Sequence, residues 1–177
     1  MISLGFSVTL ASAIVLIGFL AIFASFNAAL FQGVKELSNI AKDYVSRERE
    51  KIDVNLRLTV DAINAESCNV TLKNLGSKTI FLKSQNGFSW NTLMISYGNG
   101  SKWQSYPIED YEVLDVTVSG TNSSFNSASH SYVNSGEEAR LAFSIPSGAP
   151  EIPVQSVVSV TFASHYGVTA SGEAVRE

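Results

Sequence analysis

No charged side chain precedes Lys35. The first 34 residues, MISLGFSVTLASAIVLIGFLAIFASFNAALFQGV, are apolar or small. Cysteine is nearly missing too. A single Cys68 excludes an internal disulfide and a cysteine-rich zinc site, and it leaves the compartment open. The apolar face of its strand makes it a small buried hydrophobe. Histidine is limited to His130 and His165, and no His/Asp/Glu spacing points to a metal. There is no phosphate-cradling loop and no Gly-rich dinucleotide turn, so no cofactor is expected. Positive charge is scarce: 12 Lys and Arg stand against 16 Asp and Glu, for a net charge of −4. A nucleic-acid partner would need a basic surface to neutralise phosphates, and that class is excluded.

What is present first is a hydrophobic segment. A bilayer core about 30 Å thick takes roughly 20 apolar residues of helix. Leu4 to Phe31 is long enough to cross with tilt. Its polar members are Ser7, Thr9, Ser12, Ser25 and Asn27, and hydroxyls return a bond to the preceding turn at little cost. A cleaved secretory signal would carry a basic n-region and a core of about 7–15 residues, and neither applies. A buried helix of a soluble domain would show a polar face, and this one shows none.

After Gly33 the chain turns charged. Val34, Leu37, Ala41 and Tyr44, with Val45 beside Tyr44, recur at helical spacing, while Glu36, Lys42, Asp43 and the Arg47–Lys51 run alternate in sign. The pattern predicts a solvated, self-associating stalk. The heptad fails at Glu48, which argues against an extended coiled coil. Orientation is contested. Lys35, Lys42, Arg47, Arg49 and Lys51 flank the C-terminal side, which the positive-inside rule would keep cytoplasmic. Against this stand three glycosylation sequons, at Asn69, Asn99 and Asn122, and a Ser/Thr/Asn-rich remainder. The expectation adopted is export.

From Asp53 the period becomes two. Val54, Leu56, Leu58, Val60 and Ala62 form one face of a strand, and Cys68, Val70 and Leu72 one face of the next. Further strands are predicted at 78–83, 92–97, 111–118, 139–145, 155–164 and 168–171. About eight strands and no helix after residue 52 predict an antiparallel sandwich of immunoglobulin-like type, with an edge-closed barrel as the alternative. The domains expected are therefore 1–52, a transmembrane helix continuing into a stalk, and 53–177, an extracytoplasmic β-sandwich. Residues 119–138, SGTNSSFNSASHSYVNSGEE, break the strand spacing. They read as a long loop, either flexible or else contacting a partner or bearing a glycan.

Chemistry is not expected. Serines near His130 follow from composition, and a catalytic triad is a matter of geometry. Glu109-Asp110 and Glu137-Glu138 read as solvated turn charges. Phe88, Trp90, Tyr97, Trp103, Tyr106 and Tyr111 cluster in sequence, either as core or as a partner-binding platform. For a platform the candidates are Trp90, Trp103 and Tyr106, with Trp103 in a Gly100–Pro107 loop.

The opening GFSV…ASAIVLIGFLA, the extended helix, VTLKNLGSKTI at Val70–Ile80 and HYGVTASG at His165–Gly172 resemble the archaellin/type IV pilin-like superfamily. They resemble more closely the F-type accessory (stator) subunit of the archaellum, with the G-type subunit as sibling. The resemblance spans nearly the whole chain on short hydrophobic motifs. It implies a cell-membrane, single-pass protein with its sandwich outside the cytoplasm. That sandwich would bind the surface-layer protein and other archaellum subunits and anchor the motor, and the protein would be a homo-oligomer, a dimer. No catalytic residues carry over. The Lys/Arg-Gly that precedes the hydrophobic run of a processed pilin is not visible here. An uncleaved membrane subunit fits that better, unless the sequence starts near a mature end. The alternatives are a filament-forming subunit or the G-type subunit, with the helix in a filament core, and a membrane-tethered ligand-binding or enzyme domain.

Overall fold

The computed structural model describes residues 3–82, 90–100, 102–121 and 123–177. The chain divides into two compact units, Met1–Arg47 and Glu48–Glu177. Helix α1 runs Ser3–Ile52. Its apolar part is exposed throughout, from Val8 and Leu10 to Leu30 and Phe31. The helix is long and apolar enough to cross a membrane.

Eleven strands follow among the described residues: β1 Leu56–Ile63, β2 Ser67–Asn74, β3 Ile80–Phe81, β4 Thr92–Asn99, β5 Lys102–Ile108, β6 Glu112–Val118, β7 Ser124–Phe125, β8 Tyr132–Val133, β9 Glu137–Ser144, β10 Val157–Ala163 and β11 Thr169–Val175. They form a five-stranded sheet β1-β2-β9-β6-β7, a four-stranded sheet β11-β10-β4-β5 and a small pair β3-β8. The pairings are antiparallel. The core lies between the two larger sheets. Leu58, Val70, Leu72, Val116 and Leu141 meet Leu93, Ile95, Tyr97, Val160 and Phe162 there. This is the sandwich that period-two patterning predicts, because each strand presents alternate residues to one apolar layer.

The strand predictions need four corrections. The segment read as a Gly100–Pro107 loop is β5. It pairs with β4 from Leu93↔Ile108 to Asn99↔Lys102. Gly100, next after β4, has φ +66°, a conformation that glycine adopts without a Cβ penalty. Ala62 is exposed, not inward, because the β1–β2 register shifts between Val60 and Ala62. A bulge adds one residue, so the inward role passes to Ile63, opposite Cys68. The strand expected at 78–83 is only Ile80–Phe81 among the described residues. The stretch 119–138 is not an unstructured loop, since it contains β7, β8 and the start of β9. Its short polar side chains build local turns, as where Asn126 Oδ1 accepts the Ala128 N–H at 2.8 Å.

The sheets come closest at the β1–β11 corner. A Cβ placed on Gly172 would lie 2.7 Å from the Leu58 carbonyl oxygen, so only glycine allows the two backbones to meet there.

Candidate functional site

The outward faces of the two sheets differ in chemistry. Opposite residues in an antiparallel ladder share a face, so register decides which side chains stand together. The five-stranded sheet turns Arg57, Asp61, Thr71, Lys73, Glu138, Arg140 and Asp115 outward. Six of these pair among themselves. Arg140 makes a bidentate ion pair with Asp115, Thr71 donates to Asp61 at 2.6 Å, and Lys73 lies 4.0 Å from Glu138. The Asp115 carboxyl is held below its usual range by the Arg140 bond.

The four-stranded sheet turns outward Thr169, Ser171 and Glu173 from β11, Ser159 and Thr161 from β10, Met94, Ser96 and Gly98 from β4, and Trp103, Ser105 and Pro107 from β5. Glu173 is the one charge among them. Hydroxyls pair across the strands, Ser96 with Ser105 at 2.8 Å and Thr161 with Ser171 at 2.9 Å. Trp103, 57% exposed, stands over Gly98 on the outermost strand of this sheet.

The aromatic residues singled out in the sequence do not form one platform. Phe88 lies outside the described residues. Tyr97 is core, its hydroxyl donating to the Pro150 carbonyl at 2.5 Å, and burial pushes that phenol up. Tyr106 is half-buried on the inward side of β5 and packs on Tyr97 at 5.5 Å. Tyr111 precedes β6 and is a structural strut. Its hydroxyl donates to Leu82 O at 2.5 Å and accepts from Asn91 at 3.3 Å.

Trp90, 38% exposed, belongs to a different group that the sequence reading missed. Its ring lies 6.4 Å from Phe81 and 5.9 Å from His165. The group continues through Tyr132 to His130 and Phe125. Four chain segments contribute to it, so no local spacing announces it.

Glu137 also departs from expectation. It is 8% exposed, not a solvated turn charge. Its Oε2 accepts the Asn134 N–H at 2.7 Å and lies 3.0 Å from His130 Nε2. Burial pushes this carboxyl up, but the bonds from Asn134 and His130 outweigh burial and hold it below 4.5. His130 is stacked on Phe125 at 4.4 Å, with no serine hydroxyl among its described partners. Desolvation lowers His165 from its usual 6.5. Cys68 is fully buried and its thiol is pushed up to about 12, mainly by burial, so it is inert.

Of the three sequons, Asn122 lies outside the described residues. Asn99 ends β4 at the hairpin turn. Asn69 is half-buried on β2 and borders a groove of about 680 Å³ that Ser67, Glu109, Asp110, Glu112, Ala142 and Ser144 also line. The small Ala142 opposite both Asn69 and Glu112 opens its floor. Glu109 and Asp110 are exposed, as a solvated turn requires. Among the described residues no group of three His, Cys, Asp or Glu is arranged to hold a metal.

No protein-family model matches the sequence, and no curated protein matches it. Solved structures do. A complex of the archaellum periplasmic stator proteins FlaF and FlaG from Sulfolobus acidocaldarius aligns at 12% identity over 67% of this chain and 87% of that one, with a TM-score of 0.43. FlaG from the same organism aligns at 15% identity over 68% and 99%, with a TM-score of 0.41. The archaeal flagellum of Methanospirillum hungatei aligns at 14% identity over 95% of this chain and 93% of that one, with a TM-score of 0.56. Coverage of 95% takes in most of the helix as well as the sandwich, and what that likeness shows is the fold.

Proposed function

We propose that this chain is a non-enzymatic, single-pass archaellum protein of the stator kind. Residues 4–31 lie in the cell membrane, and residues 53–177 form a sandwich outside the cytoplasm that binds the surface-layer protein. The observation that carries the reading is the exposed apolar helix joined to a sandwich that buries a complete core of its own. A stator resists torque, so it needs attachment at both ends. A membrane helix supplies one attachment. The charge-poor outer face of β11-β10-β4-β5, with Trp103 at its rim, supplies a surface for the other, since exposed aromatics act as binding anchors.

The test uses the full chain in detergent micelles with isolated surface-layer protein. Retention is expected. Trp103→Ala should weaken it at least tenfold, in the range of an aromatic anchor, with the melting temperature within about 2 °C of the parent. No retention across a broad pH range would sink the stator role. Topology has its own readout. A mass shift abolished by Asn69→Gln would mark an exported sandwich.

A second reading is a filament-forming or G-type subunit with α1 in a helical core. It is favoured by the likeness to a flagellar filament over the helix as well as the sandwich. Sedimentable fibres would establish it, and small detergent-extracted oligomers would favour the anchor.

A further inference from the structure

Asn27 is the only amide side chain between Leu4 and Phe31. The hydroxyls of Ser12 and Ser25 donate to the carbonyls of Val8 and Ala21, each at 2.8 Å. Asn27 Nδ2 donates to Phe23 O at 2.7 Å. Its second N–H and its Oδ1 find no partner among the described residues. Lys35, the first charge, stands eight positions further on, about 12 Å along the helix axis. On the membrane-anchored reading, on which this inference rests, that places an unsatisfied amide inside hydrocarbon. Such groups are costly there and find partners on other helices.

The same helical face carries a second signal. Counting three and four from Asn27 gives Phe23, Leu30, Val34, Leu37, Ala41 and Tyr44, a repeat of 3.5 that continues past the first charges. Ile40 and Val45 widen it, while Lys35, Glu36, Lys42 and Asp43 fall on the opposite side. Val34, Leu37, Ile40, Tyr44 and Val45 are all exposed. A water-facing stretch this apolar needs a cover with the same phase, and an identical helix inserted in the same direction has it.

We infer that two copies of this chain pair in parallel along this face, the Asn27 amides bonding across the pair and fixing its register. A lone polar residue at a seam position specifies register in this way. Two other occupants fit parts of the face. A filament core would surround the helix on several sides, and lipid would leave the amide unpaired.

The experiment is cysteine cross-linking of the full chain in native membranes. Cys68 stays in place, because it is buried and its thiol is inert. Single cysteines are introduced as Val34→Cys and Ala41→Cys on the seam, and as Lys35→Cys and Lys42→Cys opposite. Dimers are expected at least threefold more abundant at the seam. Asn27→Leu should lower them about threefold to tenfold, the range of an interhelical hydrogen bond in lipid. Asn27→Gln should retain most of them. Equal yields at all four positions overturn the pairing, and an unchanged yield in Asn27→Leu overturns the role of the amide. A chain that is membrane-bound but uncross-linked refutes the pair alone. A chain released by carbonate washing refutes both the pair and the anchor.

Discussion

Glu137 shows how a single position can mislead a sequence reading. Next to Glu138 it looks like half of a solvated charge pair, yet strand alternation puts Glu138 outward toward Lys73 and Glu137 inward. Its partners Asn134 and His130 sit three and seven residues upstream, inside the serine-rich stretch. Composition there disguised a hydrogen-bond network as a loop. The energetic sign follows from the bonds. A carboxyl held below 4.5 in the fold contributes stability that is present above pH 4.5 and is lost as pH falls through its lowered value. Glu137→Gln should therefore unfold more readily at pH 7, by about 1–3 kcal/mol for a broken charged bond. It should also show a smaller loss of melting temperature than the parent between pH 5 and pH 3. Equal slopes for the two proteins would remove Glu137 from the acid response. Trp103 was legible as an exposed aromatic, but for the wrong reason: an outward position on an outer strand exposes it, not a loop.

At the scale of elements, alternation located most of the sandwich. β1, β2, β4, β6, β9, β10 and β11 all carry it. β5 escaped because KWQSYPI offers few apolar residues to alternate and contains Pro107, which an edge strand tolerates. The bulges were invisible for a related reason. A single inserted residue, at 60–62 in β1 or 113–115 in β6, inverts the downstream face without any unusual composition. Gly172 is equally silent in sequence and is decided by the backbone of β1. Gly172→Ala should cost about 1–3 kcal/mol through forced backbone displacement, read as a lower denaturant midpoint with an unchanged slope. Gly98 is the control in the same sheet. Its added Cβ would meet the Trp103 ring at 3.6 Å, an ordinary contact, so Gly98→Ala should be neutral or slightly stabilising. Equal losses in both variants would show that strand glycines matter here for a reason other than the β1–β11 approach.

For the molecule as a whole, each unit is held by interactions of a different kind. The hydrophobic run was legible because about 20 apolar residues without charge have few other meanings. The helix satisfies its backbone internally, and its described apolar side chains are exposed over the span. Among the described residues every buried hydrophobic lies from Val54 to Ala170, so the sandwich's hydrophobic driving force comes from its own layers. Two sources of stability predict two transitions. On heating the full chain in micelles, the near-ultraviolet signal of Tyr97, Tyr111 and the packed aromatics should collapse cooperatively. The far-ultraviolet helical signal of the 50-residue α1 should persist above that temperature, because lipid-like surroundings leave helical hydrogen bonds without competing water. Phe162→Ala, which empties a fully buried site at about 3–5 kcal/mol, should lower the first transition and leave the second where it was. A single transition that moves as one with Phe162→Ala would mean that the helix depends on the sandwich for its stability. The chain would then behave as one cooperative body, not as an anchor bearing a separately folded head.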